Sequence, residues 1–151
     1  MAESPGHSER RVAFAVDESD HAEHAFQWYC DHLYKHGDYV VLIHVPENYD
    51  FTMASPGVVE QLLKELEQRV DNLERRYKDK LQSKRIPGKF RTGSGKPGEV
   101  ITKLAHEEGA VFIVTGTRGL GKLRRTIMGS VSDYIVHHSA VPVLVCRAES
   151  K

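Results

Sequence analysis

Long apolar segments and paired cysteines are the features that this sequence most clearly lacks. The longest apolar runs, residues 111–114 and 143–146, are far shorter than the roughly 20 residues that span a bilayer. The only two cysteines, Cys30 and Cys146, form no CxxC motif, which excludes a disulfide framework and a zinc knuckle and leaves at most one disulfide. With 21 basic and 21 acidic residues the formal net charge is +0, so no overall field attracts nucleic acid or an anionic membrane.

The N-terminal residues also lack the apolar segment of a secretory signal peptide. We therefore expect a flexible N-terminal tail over residues 1–10, one domain over residues 11–147, and a short C-terminal tail over residues 148–151. A chain of 151 residues is long enough for one domain with a sizeable core. The expected compartment is the reducing cytoplasm.

Strand-like and helix-like segments alternate along the chain. Short apolar runs typical of buried strands occupy residues 11–16, 39–45, 110–115 and 142–146, and a weaker edge strand is predicted within residues 86–93. Helical periodicity predicts helices over residues 20–36, 58–83, 98–108 and 130–138, the first of them capped by Ser19. The apolar positions of the second helix recur every 3.7 residues or so, which favours packing on a sheet over a coiled coil.

This alternation, with no hairpin signal between strands, predicts an α/β fold. Right-handed crossovers would give a parallel sheet with helices on both faces. Ligands of such open sheets bind beyond the carboxyl ends of the strands. We therefore expect the functional residues after Asp17, after Val45 and in the loop that follows the fourth strand.

One glycine-rich stretch, GSGKPG at residues 93–98, matches the GxGxxG pattern of nicotinamide and flavin carriers. Its preceding strand is mostly polar, and no acid follows about 20 residues later to bind a ribose. Pro97 also lacks the amide donor that the fingerprint uses, and it stands where a P-loop has serine or threonine. A tight turn leading into a helix is the favoured interpretation.

A second stretch, TGTRGLGKLRRTIMGSVS at residues 115–132, has a stronger functional pattern. Glycines let backbone amides approach a ligand, and consecutive amides form an anion-binding concavity. The helix that begins at Ser130 offers free N–H groups and a positive dipole end to a phosphate. Ser130 and Asp133 also have capping-box spacing, in which Ser130 would cap its own helix. The stretch has four cations and no acid before the helix, which favours a polyphosphate ligand over a solvated basic loop. The cations are Arg118, Lys122, Arg124 and Arg125.

The spacing Gly-x2-Gly-x9-Gly-Ser, placed after the fourth strand, resembles the ATP-binding branch of the universal stress protein family. The segments AVDESDHAEHAFQW, from Ala15, and LIHV, ending at Val45, resemble that family too, so the resemblance covers residues 11–147. It implies a Rossmann-like, open five-stranded parallel sheet of order 3-2-1-4-5. It also implies a stress-response or signalling module that binds ATP, or AMP or ADP, with Mg or Mn held through the phosphates.

The same resemblance implies a set of nucleotide contacts. Asp17 would contact the ribose or a phosphate-bound metal, and Val45 would meet the adenine edge through its backbone. Ala15 and Val16 would line the base. Ribose and α-phosphate would lie at Gly116, Arg118 and Gly119, and the β- and γ-phosphates would lie at Gly129, Ser130, Val131 and Ser132.

No residue pattern pairs a nucleophile with a base, so we predict no catalytic residue and at most slow ATP hydrolysis. The last strand, from Val141 to Cys146, is an apolar edge in the implied order, and antiparallel pairing with a second copy would give a homodimer. The alternative function is a dimeric interaction or chaperone-like protein that uses no nucleotide.

Four histidines flank the apolar stripe of the first predicted helix, and two of their spacings suit a metal. Without a cysteine or carboxylate cluster to complete a tetrahedral site, an ordinary boundary face is favoured over zinc. These residues are His21, His24, His32 and His36.

Overall fold

The computed structural model describes residues 9–46, 51–117 and 129–147, in which strands and helices alternate as predicted. The elements are β1 (Arg10–Ala15), α1 (Asp20–His32), β2 (Asp38–His44), α2 (Pro56–Lys84), β3 (Gly88–Thr92), α3 (Pro97–Glu107), β4 (Phe112–Gly116), α4 (Ser130–His138) and β5 (Val143–Cys146). Residues 1–8 of the predicted N-terminal tail and the predicted C-terminal tail, residues 148–151, lie outside the described residues, whereas Arg10, the last residue of the predicted N-terminal tail, belongs to β1.

The five strands form one parallel sheet in the order β3-β2-β1-β4-β5, which confirms the predicted topology. In β1, Ala13 stands opposite Val41 of β2 on one side and Ile113 of β4 on the other. The chain builds outward from β1 through β2 to β3, then crosses to the other side to add β4 and β5. The strand order therefore reverses between β1 and β4. Ligands of open parallel sheets bind beyond the carboxyl ends of the strands at such a reversal, and this region is called the crevice below.

Alternate residues of the central strands supply two separate cores. Phe14 and Leu42 face a cluster that includes Phe26 and Tyr29 of α1 and Tyr77 of α2. Their chain neighbours point the other way, into a cluster with the inward residues of α3 and α4; the strand residues of this second cluster include Ala13, Val41, Ile43 and Ile113. Because successive strand residues point to opposite faces, continuous apolar runs are what a sheet covered on both sides requires. The two cysteines are free thiols, so the disulfide that composition allowed does not form.

Helix α1 is shorter than predicted and ends at His32. The backbone N–H groups of Leu33 and Tyr34 both bond to Tyr29 O, and Arg10 Nη2 donates to Leu33 O at 3.1 Å. These contacts draw the chain out of the helix before His36. The prediction that His32 and His36 lie on the same helix is therefore wrong, because only His32 belongs to α1.

Helix α2 is much longer than the strands it covers. Its 29 residues extend about 43 Å, whereas only Leu73, Tyr77 and Leu81 are buried. Arg69 bonds to Glu18, just after β1, at 2.7 Å, so the part of α2 before Arg69 reaches past the carboxyl edge of the sheet. Despite its length α2 is polar, and no helix among the described residues is apolar enough to cross a bilayer.

The GSGKPG stretch serves packing. A Cβ on Gly98 would lie 2.7 Å from Tyr134 Cδ1, and one on Gly93 would lie 2.6 Å from Val100 Cγ1. Glycine at these two positions therefore lets α3 approach α4 and lets the β3–α3 turn close. This agrees with the favoured interpretation, a tight turn leading into a helix.

Candidate functional site

Three strand ends and one helix start meet at the crevice between β1 and β4. Ala15 ends β1, Val16 and Asp17 follow it, and Val45 comes directly after β2. Gly116 ends β4. The start of α4 carries the other described residues of the predicted site, which are Gly129, Ser130, Val131 and Ser132. Arg118 and Gly119 lie outside the described residues, as do Lys122, Arg124 and Arg125.

Asp17 fixes the beginning of α1 with one carboxylate oxygen. Asp17 Oδ1 accepts hydrogen bonds from Ser19 N, at 2.8 Å, and from the Ser19 hydroxyl. The Ser19 hydroxyl in turn accepts from Ala22 N at 3.2 Å, which confirms Ser19 as the N-cap of α1. Among the described residues no partner engages Asp17 Oδ2, so this oxygen is available to a ligand.

The neighbouring acid, Glu18, is already neutralised. Its hydrogen bond from Arg69, supported by the charge of that guanidinium, lowers the pKa of Glu18 although partial burial opposes ionisation. Glu18 therefore ties α2 to the β1–α1 turn. Unlike Glu18, Asp17 has no cation paired with it among the described residues.

Val16 is held in place by contacts of its backbone N–H and carbonyl groups. Val16 N donates to Ile43 O at 2.9 Å, which extends the β1–β2 ladder by one residue. Val16 O lies 2.9 Å from His44 Nδ1, and because a carbonyl only accepts, Nδ1 of His44 carries the proton. Of the three residues predicted to contact a base, Val16 is thus bonded to β2, Ala15 ends β1, and Val45 directly follows β2.

The end of β4 and the start of α4 are joined through one carbonyl group. Thr117 O accepts from Gly129 N at 2.6 Å and from the Ser132 hydroxyl at 2.8 Å. Ser132 is 2% exposed, and its hydroxyl also lies 3.1 Å from Gly129 O. The hydroxyl of Ser132 is therefore committed to the protein, and only its backbone amide remains for a phosphate.

The first turn of α4 presents free donors. The N-cap is Gly129, which offers no side-chain oxygen, and the first helical bond is the one from Asp133 N to Gly129 O at 2.9 Å. The capping box expected from Ser130 and Asp133 is therefore wrong, because the cap lies one residue earlier than that spacing needs. The amides of Ser130, Val131 and Ser132 precede this bond and have no partner within the helix.

Gly116 has a packing role that the motif did not indicate. A Cβ on Gly116 would lie 2.8 Å from the carbonyl oxygen of His21, in the first turn of α1. Its φ is not positive, so close approach of α1, rather than backbone conformation, requires glycine here. Loss of ligand binding on substituting Gly116 would therefore mix a folding defect with a binding defect.

Three residues at the crevice were not predicted as site residues. Thr117 joins β4 to α4, His44 holds Val16, and His21 Nδ1 lies 3.5 Å from Thr117 Oγ1. His44 had a detectable signal, since it is a polar residue that ends an apolar strand next to Val45. His21 had none, because its position depends on how α1 packs against β4. Within the described residues no three His, Cys, Asp or Glu side chains form a group that could hold a metal ion.

The fold and the position of this crevice define a doubly wound parallel α/β protein with its candidate site at the topological switch point. The sequence profile of the Universal stress protein family matches residues 9–147. The chain belongs to the universal stress protein family.

Individual relatives agree with this assignment over most of the chain. A universal stress protein of Thermus aquaticus is 30% identical over 142 residues, which cover 91% of this chain and 98% of that protein. The solved structure of the hypothetical protein MJ0577 superposes with a TM-score of 0.83 at 25% identity, over 94% of this chain and 98% of its own. A family member from Arabidopsis thaliana, solved with AMP bound, has a TM-score of 0.73 at 21% identity over 93% of both chains.

Proposed function

We propose that this protein binds ATP in the crevice between β1 and β4, as a stress-response or signalling module. The observation that carries the proposal is the start of α4 at the strand-order reversal, where the amides of Ser130, Val131 and Ser132 have no partner among the described residues. A helix start of this kind attracts phosphate through its N–H groups and its dipole. Thr117 holds it in place from the end of β4.

The rest of the nucleotide would extend from α4 towards β2. Asp17 Oδ2 would contact the ribose or a Mg or Mn ion carried by the phosphates, and Val16 and Val45 would contact adenine. Arg118 and Gly119 complete the predicted set. AMP in the Arabidopsis thaliana structure supports an adenine nucleotide as the ligand, and the cations of residues 118–125 favour a longer phosphate chain.

Hydrolysis of the bound ATP would be slow. Phosphoryl transfer is accelerated by cations and by a residue that orients the attacking water. At the end of β1, Asp17 has one oxygen without a partner among the described residues, Ser19 holds its other oxygen, and Glu18 is paired with Arg69. We therefore infer that binding, not turnover, is the function of the site.

Proline substitution at Ser130 tests the phosphate cradle without removing the helix. Ser130 is the first residue of α4, a position that favours proline, and Gly129 has φ −66° and ψ 159°, an extended conformation compatible with a following proline. Helices α2 and α3 of this chain already begin with Pro56 and Pro97. Ser130→Pro therefore deletes one amide donor and the hydroxyl, whereas the control Ser130→Ala deletes the hydroxyl alone.

We expect ATP at about 100 times its dissociation constant to raise the melting temperature of the wild-type protein by roughly 5–10 °C. Ser130→Pro should melt near the wild type without ligand and show a much smaller shift with ATP. Ser130→Ala should keep most of the shift. Equal shifts for ATP and NADP, or an undiminished ATP shift in Ser130→Pro, would contradict the proposed cradle.

The second candidate function is that of an interaction protein that uses no nucleotide, and the edge position of β5 supports it. Within residues 9–46, 51–117 and 129–147 this strand pairs with β4 on one side only, and Val143, Leu144 and Val145 are each partly exposed. We propose that this edge pairs with a second copy in either case, so a homodimer alone does not distinguish the two functions. Wild-type protein that shows no melting shift with ATP or AMP would favour the second candidate.

A further inference from the structure

We propose that His21 is a further ligand residue of the site and contacts the phosphate chain beyond the α-phosphate. This inference rests on the proposed nucleotide function and extends it to a residue outside the glycine motif. Its consequence is a preference for ATP over AMP that depends on one imidazole of α1.

The position of His21 is fixed by its own backbone. Its carbonyl oxygen lies against Gly116 so closely that no side chain fits at position 116. This contact places the first turn of α1 at the end of β4. His21 can therefore face the crevice although it belongs to a helix on the opposite face of the sheet from α4.

The side chain of His21 reaches the residue that anchors the phosphate cradle. His21 Nδ1 is 3.5 Å from Thr117 Oγ1, and Thr117 O binds both Gly129 N and the Ser132 hydroxyl. Thr117 thus links the imidazole of His21 to the start of α4, where the β- and γ-phosphates are proposed to bind. The backbone of His21 lies against Gly116, where the α-phosphate is proposed to bind, but its side chain extends from there to Thr117, so the imidazole is assigned to the phosphates next to α4.

The imidazole has hydrogen-bonding capacity to spare. The 3.5 Å contact with Thr117 is at the long limit for a hydrogen bond, and within the described part of the chain Nε2 of His21 has no partner. The ring is partly exposed, so a ligand can displace water from it. Imidazole N–H groups donate to phosphate oxygens, and protonation adds an attractive charge.

The test compares ATP and AMP binding by calorimetry in the wild type, His21→Ala and His21→Gln, with His32→Ala as the control. His32 lies at the far end of the same helix, stacked on Trp28. We expect His21→Ala to weaken ATP binding about fivefold and AMP binding less than twofold, the size of one hydrogen bond. His21→Gln should retain part of the difference, and His32→Ala should change neither affinity.

The two hypotheses fail in different ways. Wild-type protein that binds neither nucleotide overturns the proposed function and this inference with it. Normal wild-type ATP binding that His21→Ala leaves unchanged, or weakens equally for ATP and AMP, overturns only the role of His21. Melting temperatures of the variants without ligand, expected within about 2 °C of the wild type, separate binding losses from unfolding.

Discussion

Asp38 is the first residue of β2 and organises contacts at the amino ends of the strands, the end of the sheet opposite the candidate site. The residue is fully buried, and its carboxylate accepts two bonds from Arg10, both at 2.7 Å, one from the Tyr29 hydroxyl and one from Lys35 N at 3.1 Å. Burial opposes ionisation of Asp38, but the bonds from Arg10 and Tyr29 outweigh it and hold the pKa of the carboxyl below its ordinary value. The same environment, mainly burial, raises the pKa of Tyr29.

The lowered pKa of Asp38 predicts a pH-dependent stability contribution. A carboxylate with a depressed folded pKa stabilises fully above its ordinary value of 3.8, and the contribution is lost as the pH falls through the folded pKa. We expect Asp38→Asn to reduce the free energy of unfolding by about 2 kcal/mol at pH 7 and by less near pH 3, which lies below the ordinary pKa of the carboxyl. Urea unfolding at both pH values measures the difference.

The exposed Asp31→Asn serves as control for this experiment, because Asp31 lies at the surface of α1 and bonds only to Gln27 among the described residues. Its effect should be small at both pH values. A loss for Asp38→Asn that is equal at pH 7 and pH 3 would contradict the ionised, paired state of the carboxylate.

At the scale of elements, the contact of α3 with α4 depends on one glycine. Gly98 is buried, and a Cβ there would lie 2.7–2.8 Å from three atoms of Tyr134. One of these atoms is Cβ of Tyr134, which no rotation of the side chain can move. Since α4 carries the proposed phosphate cradle, this packing also sets the position of Ser130.

We expect Gly98→Ala to lower the free energy of unfolding by about 1–3 kcal/mol through overpacking. Gly57→Ala is the matched control, because Gly57 is also near a helix start and a Cβ there meets nothing within 4 Å. That control should be neutral or slightly stabilising, since alanine favours helix. Urea denaturation of both variants measures the two free energies of unfolding. Equal values would contradict the prediction and mean that α3 and α4 can separate at no cost.

Local sequence signals were sufficient to predict most strands and helices but not the contacts between them. The four strong strands followed from their apolar runs, and the start of α1 followed from Ser19. The end of α1 could not be predicted, because it depends on Arg10, 23 residues away from the Leu33 carbonyl that it binds. The site shows the same division: the motif indicated Gly129 and Ser130, whereas His21 enters through the packing of two distant elements.

At the scale of the whole molecule, the two edges of the sheet differ. The edge strand β3 carries Lys89 and Arg91, both bonded to Glu108 at 3.0 Å. Although burial opposes it, these bonds lower the pKa of Glu108. Such charges protect an edge from association, whereas β5 is apolar and unpaired on its outer side. The asymmetry supports dimerisation through β5 rather than β3.

Proline at position 145 tests that dimer. Pro142 O accepts from Ile113 N of β4, so the backbone groups of Val143 and Val145, which alternate with it, point away from the sheet. Val145→Pro therefore removes an outward N–H without breaking the bonds to β4. We expect sedimentation equilibrium to show a dimer for the wild type and a folded monomer for the variant. A monomeric wild type, or a dimeric variant, would contradict pairing through this edge.

The central claim is that backbone amides at the start of α4 hold a phosphate chain over the end of β4. A crystal structure of the protein grown with excess ATP and magnesium tests it most directly. The account predicts phosphate oxygens within about 3 Å of the amides of Ser130, Val131 and Ser132, and adenine beside Val16 and Val45. A crevice that stays empty at saturating ATP, or that is filled by the protein's own chain, would contradict it.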